Sequence, residues 1–172
     1  MAAPRRRRPF VVSDALLRAY SASARVNQYL VEHLHPAVWR AKPPGGGRTI
    51  AVLVAHLYNS GLRYVRRAPG GEALSATLNG FRVTQIQAAH ALGAKRRVVL
   101  RVVARALDGD GRVDGFRYDA AAFLAYFMVH DGHHRGQILM QARLLGHPVS
   151  RKVGMGMWYW QKRAREAARA PA

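Results

Sequence analysis

The chain has 172 residues, 49% of them hydrophobic, the size and composition of a single domain that buries a core without covalent staples. It contains no cysteine, which excludes disulfides, thiolate metal sites and cysteine nucleophiles, so any metal must be held by nitrogen or oxygen. Its 28 basic and 9 acidic residues give a formal net charge of +19. That balance suits nucleic acid or an anionic small molecule, and equally a plain compositional bias toward arginine. Without aromatics interleaved in the charge or a known binding module, nucleic acid is the secondary reading.

Arg5 to Arg8 form a basic run, but Ser13-Asp14 interrupts Phe10-Val11-Val12 before an export signal can develop. Residues 1–12 therefore read as a disordered basic arm. No apolar stretch reaches the ~18 residues of a membrane span, so the expectation is a cytoplasmic protein with no membrane partner. Ser13 or Asp14 can cap a first helix, along which Leu16, Leu17, Tyr20, Ala24, Asn27, Leu30, Val31 and Leu34 repeat at helical spacing. Pro36 follows its end, and residues 42–48, rich in Pro and Gly, are a loop. Thr49 can cap a second helix with the stripe Ile50, Leu53, Leu57, Gly61, Tyr64 and Val65, ending at Arg66-Arg67 and Pro69-Gly70-Gly71.

Residues 72–83 carry no clear period. Thr84 opens a third helix. Its valines at 98, 99, 102 and 103 also suit a strand, but Ala, Leu, Gln, Lys and Arg dominate the window and favour helix. Asp108 to Gly115 has the outline of a calcium loop. Arg112 stands where a third oxygen ligand belongs and Val113 where the turn glycine belongs, so a tight connection is the reading. A fourth helix runs from about Asp119 to Leu145, with Phe123, Phe127, His130, His134, Gln137 and Gln141 along one seam, and Gly146 and Pro148 end it. Met157-Trp158-Tyr159-Trp160 either closes the bundle or sits at a subunit interface. The expected fold is all-α, a four-helix bundle over residues 13–163 with a short C-terminal extension, then a flexible basic tail at 164–172.

The chemistry concentrates on the fourth helix. His130 and His134 are four residues apart, so their imidazoles stack on one face about one turn apart and can aim at one point. His56 on the second helix is the natural third partner. Three neutral imidazoles leave coordination positions open, as in a catalytic rather than a structural site. Zinc, nickel, iron and manganese all accept such ligands. A lone histidine on an apolar face is usually a satisfied core residue, and His33, His35, His90 and His147 are read as structural or exposed. His133 points about 100° away from His134 and either supports the ligands from behind or lies at the rim. Asp131, His133 and Asn59 are candidates to orient groups or shuttle protons. Gln137 can donate into the cavity, and Arg135 can bind an anionic group or make a structural ion pair. His130-Asp131-x-x-His134 differs from the zincin pattern by Asp for Glu, and His147 lies at the wrong spacing for a third ligand, so a peptidase is set aside.

Residues 130–148, from His130-Asp131-Gly132-His133-His134-Arg135-Gly136-Gln137 to Pro148, resemble the signature of the DinB/YfiT-like family. The resemblance extends to Ile50 through Asn59, to Gly111 through Phe116 and to Gly154 through Trp158, and covers residues 14–163. It implies a four-helix bundle, often a homodimer, with a divalent metal between the second and fourth helices on His56, His130 and His134. It further implies a metal-dependent hydrolase, or a transferase using a low-molecular-weight thiol such as bacillithiol or mycothiol, acting on a small electrophilic substrate. Many relatives carry Glu after the first histidine of the fourth helix, where this chain has Asp131.

Overall fold

The computed structural model describes residues 9–68, 74 and 76–169. Among these it is all-helical: four long helices, α1 (Val12–Glu32), α2 (Ile50–Val65), α3 (Gln85–Asp108) and α4 (Ala120–Leu144), then two short ones, α5 (Arg151–Trp158) and α6 (Trp160–Arg169). The starts of the helices are written locally. Thr49 accepts from the Val52 amide, Thr84 and Gln87 form a reciprocal capping box, and Asp119 accepts from the Ala122 amide. α1 departs from expectation: it begins at Val12 behind an uncapped Val11, which places Ser13 and Asp14 inside the first turn. Asp14 still suits the positive end of the helix. The cap of α4 is closed at Gly146, whose φ of 79° is open to glycine and strained for other residues, with the His147 amide bonding back to Ala142.

The four long helices pack around one core that includes Tyr20, Leu30, Ile50, Leu57, Leu62, Phe123 and Phe127. Val98, Val99, Val102 and Val103 are buried on α3, so the valine-rich stretch is helix; its apolar face is satisfied by α1 and α2 without sheet pairing. The 108–115 segment is the expected tight connection, with Gly111 and Gly115 at positive φ and the Arg112 amide donating to the Asp110 carboxylate.

The C-terminal segment differs from expectation. Residues 164–169 form the second half of α6 instead of a flexible tail, because Arg163 and Ala167, one turn apart, are buried against α1. The Arg163 guanidinium lies 3.8 Å over the Tyr29 ring, and Arg96 donates to the Ala167 carbonyl at 2.6 Å. Trp158, Tyr159 and Trp160 do not close the bundle; they are 79%, 55% and 45% exposed. The basic run of the arm, and residues 170–172, lie outside the described residues. No helix among the described residues is long and apolar enough to cross a membrane.

Candidate metal centre

α2 carries His56 at its middle and α4 carries His130 and His134 one turn apart, and the packing of α2 on α4 brings the three together. One ring nitrogen from each lies within 4.8 Å of the others. The ring centroids are 5.3 Å apart for His56 and His130, 4.7 Å for His56 and His134, and 4.6 Å for His130 and His134. Two imidazole nitrogens about 2.1 Å from one tetrahedral ion stand about 3.4 Å apart. Side-chain rotation on binding has to draw the nitrogens together by up to about 1.4 Å. His134 is buried and the other two are half-buried. The His134 Nδ1–H donates to Gln137 Oε1 at 2.7 Å, which selects the tautomer with its free lone pair on Nε2. The donor set is three imidazoles with no carboxylate, and it fits a divalent transition ion with coordination positions left open.

Burial lowers the pKa of His56, and the neighbouring imidazoles of His134 and His130 lower it further. Burial also lowers that of His134, against the Gln137 hydrogen bond, which raises it. The folded protein therefore keeps both rings neutral at a pH where the unfolded chain, with the ordinary value of about 6.5, takes up protons. Their contribution to stability is complete above that value and is lost as pH falls through it toward the lowered native values. Denaturant unfolding of metal-free protein at about pH 7.5 and about pH 5.5 checks this. The loss of unfolding free energy on acidification is expected to be smaller in His56→Ala/His134→Ala than in the wild type; equal losses would contradict it.

The neighbouring candidates separate into different roles. Gln137 is exposed and orients His134. His133 is exposed at the rim, its ring 4.9 Å from that of His134. Asp131 is buried: Asn27 of α1 donates to its Oδ2 at 2.9 Å, and its Oδ1 lies 3.5 Å from His130 Nδ1. Asn59 is committed elsewhere, with its amide and carbonyl both bonded to the backbone of Leu78 at 2.9 Å, so it anchors the loop before α3. Arg135 donates to Asn27 Oδ1 at 2.6 Å, a hydrogen bond to α1 and not the ion pair or anion contact expected of it. Among the other histidines, His35 and His147 stack on each other at 4.2 Å, and His90 is exposed; neither these nor His33 joins the cluster.

Two features went unseen in the sequence. A cavity of about 620 Å³ opens beside His134, lined by Arg48, Leu53, Gln137, Met140, Gln141 and Leu144. Gln141 donates to the Arg48 carbonyl at 3.1 Å and so holds the glycine-rich loop against α4. The second is Lys95, buried on α3 and 3.9 Å from Asp131. Its signal was present, since Lys95 continues the spacing of Leu92 and Val99 on the apolar seam.

Comparison with known proteins agrees with this picture. The family model of the DinB superfamily matches residues 19–138. Among solved structures, a protein assigned to the DinB family from Exiguobacterium sibiricum 255-15 superposes with a TM-score of 0.58 at 22% identity, over 82% of this chain and 96% of that one. At that identity the likeness concerns the fold. Among curated proteins, none matches the chain.

Proposed function

The chain belongs to the DinB superfamily, and on that premise we propose that it is a metal-dependent enzyme whose centre is His56, His130 and His134. The observation that carries this reading is the convergence of three imidazole nitrogens from two helices within 4.8 Å beside an open cavity. A divalent ion held there supplies a Lewis acid that brings the pKa of a water or a thiol toward neutrality. Gln137 fixes the imidazole of His134, and the buried Asp131 supports His130. The cavity beside His134 has the volume of a small-molecule site. Leu53, Met140 and Leu144 give it an apolar wall, and Arg48 and Gln137 give it polar groups able to orient an electrophile. In this reading His133, exposed beside His134, relays a proton to solvent.

The reaction is attack by water, or by a low-molecular-weight thiol, on a small electrophilic substrate. The protein acts as a homodimer in this reading. The exposed aromatics Trp158, Tyr159 and Trp160 are the surface a second copy would cover. An activated ester, tested on metal-reconstituted protein with and without bacillithiol or mycothiol, separates the two nucleophiles. Turnover unaffected by thiol identifies a hydrolase. A thiol-containing product formed only with thiol present identifies a transferase. No metal-dependent turnover under either condition would contradict the enzyme reading.

A further inference from the structure

Behind the three histidines lies a buried charged cluster. Lys95 is 2% exposed. Its ammonium donates at 2.5 Å to the carbonyl of Leu57, the residue after His56 on α2. It lies 4.8 Å from the ring centre of Phe127 on α4 and 3.9 Å from Asp131 Oδ1, the oxygen that also faces His130 Nδ1. α2 makes room for it: a Cβ added at Gly61 would collide with the Lys95 Cε. Asn27 holds the other carboxylate oxygen from α1.

A buried ammonium and carboxylate are a poor way to fill a core. Both lose their hydration, and an apolar pair of equal volume is often as stable or more so. The partners of Lys95 suggest what an apolar pair could not do. One is the backbone next to His56, and the other is the carboxylate next to His130. We infer that Lys95 is a positioning residue for the metal centre: it ties the backbone beside His56 to Asp131, and through Asp131 orients the imidazole of His130. It bolts the two ligand-bearing helices in the register that brings their rings to one point. A carboxylate bonded to the second nitrogen of a metal-binding histidine fixes ring orientation and raises ligand basicity; here that carboxylate is itself held from a third helix.

The inference rests on the three-histidine metal reading, and the experiment keeps the two apart. Full-length protein is stripped with chelator and titrated with Co²⁺ against a chromophoric competitor, while the visible cobalt bands are recorded. Wild type is compared with Lys95→Met and with Lys95→Met/Asp131→Asn. The double variant removes both charges of the Lys95–Asp131 pair and so serves if the single one does not fold. Helical circular dichroism establishes that each variant is folded. The expected result is a cobalt affinity lower by about 10- to 100-fold in the folded variants, with altered bands. A purely structural role for Lys95 would leave the bands unchanged. Wild-type affinity and wild-type bands in either folded variant would overturn the positioning role. A wild-type protein that binds no cobalt would instead overturn the metal reading, and the positioning role with it.

Discussion

Phe127→Ala is expected to destabilise the protein by about 3–5 kcal/mol. The ring is fully buried on α4. It packs edge-to-face on Phe123 at 4.8 Å and Tyr126 at 5.6 Å, and on Tyr20 of α1 and Tyr64 of α2 at 6.4 Å each. Removing it forfeits the transfer of a large apolar side chain and leaves a cavity that three helices cannot readily collapse around. It also strips the aromatic face from the Lys95 ammonium. Urea denaturation checks this through a fall in the transition midpoint with little change in slope. Val129→Ala is the control, since Val129 lies nearby on α4 but is 74% exposed; it is expected to stay within about 0.5 kcal/mol of wild type. Equal effects at the two positions would mean that this face of α4 is not the core.

Asp131→Ala is expected to cost a similar amount, about 3–5 kcal/mol, for a different reason. Little apolar area is lost, but Lys95 keeps its buried position with the opposing carboxylate gone, and Asn27 loses the acceptor of its amide. Burial already lowers the Lys95 pKa, and Asp131 is what raises it. The variant is therefore expected to unfold at lower denaturant concentration at neutral pH. Asp14→Ala provides the contrast. Asp14 faces Arg18 at the same 3.9 Å, but both side chains are more than 60% exposed, and the expected change is about 0.5 kcal/mol or less. If the two aspartates behaved alike, the Asp131 pair would not be a buried one.

The histidine cluster could be read from sequence because a helix converts a spacing of four into a shared face. His56 needed only to lie near the apolar stripe of a neighbouring helix to be brought in. The helix starts at Thr49 and Thr84 were equally readable, since capping is decided within a few residues. The long-range features were not. Asn59 has the chemistry of a catalytic side chain, and only the return of the loop at Leu78 shows that both ends of its amide are used. Composition made 164–169 look like a solvated tail. The contacts of Arg163 with Tyr29 and of Arg96 with the Ala167 carbonyl, across the fold, make it helix. Lys95 was the most informative residue passed over. A charge on an apolar seam must find partners, although their identity on α2 and α4 depends on tertiary packing.

Elemental analysis of purified, tag-free protein tests whether His56, His130 and His134 hold a metal ion. Wild type and His134→Ala are expressed and purified in parallel and measured by plasma mass spectrometry, as isolated and after soaking in zinc, nickel and manganese with dialysis. The expected result is close to one ion per chain in the wild type and its loss in His134→Ala, with the helical circular dichroism of both unchanged. No ion retained by the wild type under any of these conditions, or equal retention by the two proteins, would contradict the metal reading.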